Sequence, residues 1–230
     1  MGKRGPKPKK LISTKWTPQL AYAVGLIATD GCLSKDGRHI DFTSQDLEQV
    51  KTFKKCLGLK NIKIGLKTSG SSKKMYPRLQ FGDVNFYGWL QKIGLTAKKS
   101  LTLESLKIPN KYFFDFLRGC FDGDGTIFAF WDKRWQSSYM FYLGFASGSR
   151  TYLQWLQNTT NKLADVSGSV KNGKKCYQLV FAKRESRILF KKMFYKNGLP
   201  HLKRKFVKAQ KIFQIDDSHN NAQVEKLVDS

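Results

Sequence analysis

The sequence predicts an α+β fold built by tandem duplication, two αββαββα units that each carry an antiparallel sheet, and three observations lead there. The first is self-similarity: Gly25, Asp30 and Gly31 recur as Gly119, Asp124 and Gly125 at a constant offset of 94. The second is that the likeness continues downstream in unbroken order. Phe42-Thr43-Ser44 answers Phe145-Ala146-Ser147 at offset 103, Phe81 answers Phe181 at 100, and Gly94-Leu95 answers Gly198-Leu199 at 104. The third is periodicity: in each copy an apolar helical run ends in Asp-Gly and passes into alternating stretches suited to strands. The drift in offset puts about nine extra residues in the second copy before Phe145, which predicts a longer hairpin around 131–135.

The elements follow in order. Residues 1–10 carry five basic residues, two prolines and two glycines without apolar periodicity, so 1–15 is read as a disordered basic arm. Copy one spans 16–107 and opens at Thr17-Pro18, an N-cap followed by a first-turn proline. Its strand at 39–43 precedes a helical pattern at 46–57. Next, Ile62, Ile64 and Leu66 alternate with Lys63, Gly65 and Lys67, and Leu79 and Phe81 alternate with Arg78 and Gln80, giving a sheet apolar on one side and polar on the other. A helix at 84–93 closes the copy. Copy two, 108–214, starts its helix at Pro109-Asn110 and repeats the plan with strands at 139–145, 170–171 and 174–181 and helices at 151–163 and 185–196. The last sixteen residues, 215–230, hold four acids and one Lys and read as a peripheral tail.

Composition narrows the partners. Forty-two Lys and Arg against 17 Asp and Glu leave a net charge of +25, a field that concentrates nucleic acid and gains free energy by releasing its counterions. The charge is spread along the chain rather than gathered on one amphipathic helix, which disfavours a membrane-surface role. The longest apolar run, 20–28, is nine residues, far short of the roughly 20 needed to cross a bilayer. Cys32, Cys56, Cys120 and Cys176 form neither a C-x-x-C pair nor a dense framework, so they read as free thiols in a reducing compartment.

Two segments carry the chemistry. Residues 22–31, YAVGLIATDG, and 116–125, FLRGCFDGDG, are apolar helices ending in an acid. Ala21, Gly25 and Ala28 share one helix face and Gly119 sits in the matching place on the other, so the two helices can approach closely. Close approach would bring Asp30 and Asp124 together with the unsatisfied carbonyls and negative dipole ends of both helices, an all-oxygen site suited to a hard cation. A calcium loop starting at Asp122 is excluded, because Thr126 and Ile127 stand where it wants an acid or amide and then Gly, and Lys133 where it wants Glu.

Both segments resemble the signature helix of LAGLIDADG homing endonucleases, and the duplicated pattern over about 16–214 resembles that family's single-chain members. The resemblance implies two helices packed at a pseudo-twofold axis and two antiparallel sheets forming a DNA-binding saddle over the major groove. It implies a monomer that binds a long duplex DNA target and makes a staggered double-strand break, in the homing of an intron. The implied cofactor is Mg2+, ligated by Asp30 and Asp124 with help from the backbone carbonyls of Thr29 and Gly123; Ca2+ would bind without supporting cleavage. Gln45 matches a polar residue that the family places beside the attacking water. Its counterpart, Gly148, or Ser147 if the register slips, departs from the pattern, and Asp122 adds a carboxylate near the second metal ligand. Lys99 and Lys205 match the lysine near the end of each copy, with Lys98 and Lys203 as close alternatives. DNA contacts are expected from the polar sheet faces: Ser34, Arg38, Lys63, Lys67, Arg78 and Gln80 in copy one, and Thr126, Lys133, Lys171, Lys174 and Gln178 in copy two.

The same resemblance implies an intracellular setting, organellar or bacterial cytoplasm. It leaves two alternatives, an RNA maturase acting on its own intron RNA and a non-catalytic DNA-binding regulator. The retained Asp30 and Asp124 favour cleavage, and an intein is disfavoured by the lack of flanking splicing segments.

Overall fold

The computed structural model describes residues 10–69, 72–135 and 138–228. The chain order is α1 (Pro18–Thr29), β1 (Gly31–Leu33), β2 (His39–Thr43), α2 (Leu47–Cys56), β3 (Gly65–Ser69), β4 (Ser72–Gly82), α3 (Val84–Lys92) and a one-turn α4 (Lys99–Thr102). After a 3-10 turn at Asn110–Tyr112 come α5 (Phe113–Asp122), β5 (Gly125–Trp131), β6 (Tyr139–Ser147), α6 (Arg150–Ala164), β7 (Ser169–Asn172), β8 (Tyr177–Phe181), α7 (Lys183–Met193) and α8 (Lys203–Val228). The strands form two four-stranded antiparallel sheets of the same order, β1-β2-β4-β3 and β5-β6-β8-β7.

The ladders show the duplication in hydrogen-bond register. Gly31 pairs with Phe42 as Gly125 pairs with Phe145, and Ile40 pairs with Phe81 as Leu143 pairs with Phe181. The extra residues of copy two extend β5 and β6 and lengthen their hairpin. Gly94 and Gly198, matched in the sequence, both adopt positive φ, 109° and 75°, where the chain turns after α3 and after α7.

The two halves meet along α1 and α5, both buried through most of their length. Thr17 caps α1 by accepting from the Leu20 amide at 3.1 Å, with Pro18 in the first turn. A Cβ built on Gly25 would stand 2.2 Å from the Phe116 carbonyl oxygen, and one on Gly119 2.1 Å from that of Tyr22, so backbone lies on backbone at the crossing. Gly31 and Gly125 play identical parts in the two copies, each pressed against its own helix at the Cα of Ile27 and of Phe121. Leu33, Ile40, Phe42, Leu79 and Phe81, and their equivalents Ile127, Leu143, Phe145, Leu179 and Phe181, fill the inner faces of the sheets.

Three sequence expectations change. The basic arm is tied down at its end: Asp83, which caps α3, also accepts from the amides of Leu11 and Ile12 at 2.8 and 3.1 Å, and Ile12 lies in the core, while residues 1–9 fall outside the described residues. The peripheral tail set at 215 begins inside α8, where the buried Asp216 pairs with Lys183 and Arg187. Finally, β3 starts only at Gly65, leaving Lys63 in the preceding irregular segment, and Leu66 is 61% exposed instead of lining the core. Among the described residues no helix is long and apolar enough to cross a membrane. The four cysteines are unpaired, and burial pushes the thiols of Cys56 and Cys120 up to about 12.

Candidate functional site

Each central helix ends one residue short of, or two residues before, its acid, so Asp30 and Asp124 lie where α1 and α5 emerge side by side. A Cβ on Gly123 would stand 2.0 Å from Oγ1 of Thr29 and 3.1 Å from Oδ2 of Asp30, so the end of the second motif rests against the end of the first. Partial burial raises the Asp30 carboxyl to about 6, with the charge of Asp124 adding to the rise and Lys205 and Lys99 opposing it. Burial also raises Asp124, against the pull of Lys99 and Lys205. Both acids therefore ionise less readily than free carboxyls, even with two lysines beside them.

Two lysines reach this place from opposite halves. Lys99, only 6% exposed at the start of α4, donates from Nζ to the Thr29 carbonyl at 2.9 Å. Lys205, in the first turn of α8, donates to the carbonyls of Phe121, Gly123 and Gly125 at 2.8, 2.7 and 2.6 Å. Burial lowers both ammonium groups, Lys205 to about 8, while the aspartates pull them back up. Thr29 and Gly123, the carbonyls expected to assist a cation, are thus already in contact with ammonium groups; each oxygen has a second lone pair free for another partner. Lys98 and Lys203 are exposed and make neither contact.

Gln45 lies just after β2, exposed, and lines an open cleft of about 440 Å³ together with Asp30, Ser44, Asp46, Gly123 and Arg204. Its counterpart Gly148 has no room for a side chain: a Cβ there would lie 2.5 Å from the Ser100 carbonyl oxygen, so the segment that carries Lys99 fills the place. Arg204 spans the halves by donating twice to Oδ2 of Asp46, at 3.0 and 2.9 Å. Among the described residues no group of three or more His, Cys, Asp or Glu side chains gathers to hold a metal ion, so a cation here would rest on two carboxylates and backbone oxygens.

Asp122 does not join this pair. Its Oδ2 accepts from the Tyr22 hydroxyl at 2.8 Å and from the Leu202 amide at 2.7 Å, both buried, while the Gln49 side-chain amide donates to its carbonyl at 2.8 Å. Burial raises its carboxyl to about 6, and Oδ1 has no hydrogen-bond partner among the described residues. The carboxylate ties the start of α8 to the helix crossing. Arg118, fully buried in the middle of the second signature, is a further tie: it pairs with Asp115 at 2.7 Å and donates to the carbonyls of Met193 and Pro200 at 2.5 and 2.9 Å.

Pairing register assigns the sheet faces. In the first sheet Cys32, Asp41 and Gln80 form one outward row, with Thr43 and Arg78 in the next and Lys67 beyond. Asp41 was not foreseen. It accepts from Nε of Arg78 at 2.6 Å and from the Thr43 hydroxyl at 3.1 Å, and lies 3.7 Å from Nζ of Lys67, so an acid sits among the expected cations and orients them. Ser34 and Arg38 are in the β1–β2 turn. In the second sheet Thr126, Lys171 and Gln178 face outward, Lys133 lies in the β5–β6 hairpin and Lys174 in the β7–β8 turn. The polar face expected there is otherwise wrong: Phe128, Phe130, Tyr142, Gly144 and Val180 occupy it.

No protein-family model and no curated protein matches the sequence. Solved structures do match by shape. The LAGLIDADG meganuclease I-AabMI bound to uncleaved DNA aligns with a TM-score of 0.59 at 14% identity, over 90% of this chain and 92% of that one. The homing endonuclease I-WcaI bound to its DNA recognition sequence gives 0.56 at 16%, over 84% and 94%. The N-terminal LAGLIDADG domain of DUF199/WhiA gives 0.52 at 14%, over 82% and 88%. A variant of I-DmoI in complex with its target DNA in the presence of magnesium gives 0.51 at 16%, over 78% and 97%. With duplicated motifs, two sheets of one topology and a glycine-to-glycine helix crossing, the chain has the two-domain, pseudo-symmetric LAGLIDADG fold.

Proposed function

We propose that this protein is a site-specific DNA endonuclease that binds a long duplex target and cuts both strands in a staggered break with the help of divalent metal. The observation that carries the reading is the carboxylate pair at the crossing helix ends, flanked by an inward-turned lysine from each half. The donor set fits a hard cation: two acids whose ionisation is held back by desolvation, with the charge of Asp124 adding at Asp30, gain from a positive charge. Asp30 and Asp124 would hold it, with the Thr29 and Gly123 carbonyls alongside, and Mg2+ is the ion proposed. When bound, such an ion lowers the pKa of water and neutralises charge developing on phosphate.

The chain's own residues supply the rest. Gln45 can order a water molecule through its amide at the rim of the cleft. Lys99 and Lys205 keep two ammonium groups beside the place where phosphate charge would develop, held still by carbonyl contacts so that little reorganisation is needed. The outer sheet faces and a net charge of +25 supply the grip on duplex. The structural neighbours I-AabMI and I-WcaI, each bound to DNA, support this use of the fold, and the I-DmoI complex with magnesium supports the choice of ion. Action as a monomer in the homing of an intron belongs to the same reading.

The experiment is incubation of the protein with a randomised duplex pool and Mg2+, followed by sequencing of the cut ends. Ends that share one sequence with a fixed stagger support the reading. A bound but uncut consensus would mean a DNA-binding protein without nuclease activity.

A further inference from the structure

The outer faces of the two sheets differ at four equivalent positions, although Thr126, Lys171 and Gln178 keep polar groups on the second. By register, Asp41 of the first corresponds to Gly144 of the second, Gln80 to Val180, Thr43 to Ala146 and His39 to Tyr142. Every one of these changes replaces a hydrogen-bonding side chain with one that is apolar or largely so. Phe128 and Phe130 then flank Tyr142 across β5 and β6, with rings near-parallel to it at centroid separations of 5.5 and 6.0 Å, yet they stay 40% and 45% exposed. Among the described residues no helix covers them, because α6, α7 and α8 all pack on the inner face. The three near-parallel rings make one continuous exposed apolar row on the sheet. Exposed Lys171, Lys174 and Gln178 border the row, and the chain's net charge of +25 selects a polyanion over an apolar protein.

The major groove of duplex DNA displays donors and acceptors on every base edge, and a single apolar group, the thymine methyl. Donors pressed against phenyl rings lose water and gain no partner, whereas a methyl loses nothing. Resting on the reading of this protein as a duplex DNA binder, we propose that the second sheet recognises its half of the target through thymine methyl groups, using Phe128, Phe130 and Tyr142. The first sheet recognises its half through hydrogen bonds from Arg78 and Gln80. The target is therefore asymmetric, with a T·A-rich half and a half richer in purine contacts.

The probe is a single duplex recovered by binding selection from a randomised pool, with Ca2+ present. Arg78→Ala and Phe128→Ala assign the halves, since each relaxes base preference in one of them. Thymine is then replaced by deoxyuridine, which lacks only the methyl, first in one half and then in the other. Binding to the second sheet's half should weaken by about fourfold per contacted methyl. The other half should be insensitive, and the double variant Phe128→Ala, Phe130→Ala should bind thymine and uracil duplexes alike. Uracil that has no effect, or an equal effect in both halves, overturns the proposal while leaving duplex binding intact. So does a dimer of the free protein that this double variant converts to monomer, since the face would then be a contact between copies. Failure to recover any duplex would instead overturn the DNA-binding reading beneath it.

Discussion

Gly25 and Gly119 touch through their backbones: a Cβ added to either would fall 2.9 to 3.0 Å from the Cα of the other and closer still to a carbonyl oxygen of the facing helix. The contact decides how near the ends of α1 and α5 can come. Gly25→Ala and Gly119→Ala should each destabilise the protein by roughly 3 kcal/mol or more, because rigid backbone on both sides leaves no flexible group to yield. Thermal unfolding reads the loss, and Ca2+ titration of the surviving fold should show weaker binding as the acids move apart.

The carboxyl of Asp30, raised to about 6, makes the metal-free protein sensitive to pH. A carboxyl whose folded pKa exceeds its unfolded value, near 3.9, contributes stability that is full below about pH 4 and is lost as pH rises through about 6. Asp30→Asn should therefore raise the melting temperature of the metal-free protein at neutral pH and change it little near pH 4. Saturating Ca2+ should reverse the order, because the wild type gains the binding free energy and the variant does not.

Arg118→Ala removes a buried cation from a buried acid and leaves the carbonyls of Met193 and Pro200 without their donor. A loss of about 3–5 kcal/mol is expected. Denaturant unfolding measures it, and Arg118→Lys should recover only part, since one ammonium cannot reproduce the forked guanidinium.

Gln45 and Gly148 differ between equivalent positions, and Ser100 blocks any side chain at the second. The two strands should be cut at different rates. A nicked intermediate should accumulate on supercoiled plasmid bearing the target, and Gln45→Ala should slow one strand more than the other. Cutting in step, slowed equally by Gln45→Ala, would show that this difference does not control chemistry.

Much of this was legible in the residues. Glycine recurring with Asp-Gly at one offset shows the duplication and the helix crossing, because only glycine allows backbone to lie on backbone. Lys99 and Lys205 could be chosen only through the family pattern, since in sequence a lysine that turns inward looks like one that is solvated. Asp122 read as a spare acid because nothing local shows that Tyr22, a hundred residues away, donates its hydroxyl to it. The aromatic face was missed although 126–131, TIFAFW, is apolar at both strand phases, a signal that one face carries rings into solvent. Continuation of α8 past 215 was hidden by acidic composition, yet Phe206, Ala209, Ile212, Phe213 and Asp216 already keep a helical spacing.

The most direct test of the central claim is cleavage of the selected duplex by Asp30→Asn and Asp124→Asn, measured beside binding to the same duplex. Both variants should fold, bind within a few-fold of the wild type, and fail to cut either strand in Mg2+. Wild-type cutting by either variant, or no cutting by the wild type at any divalent metal concentration, would contradict the claim that this carboxylate pair performs DNA hydrolysis.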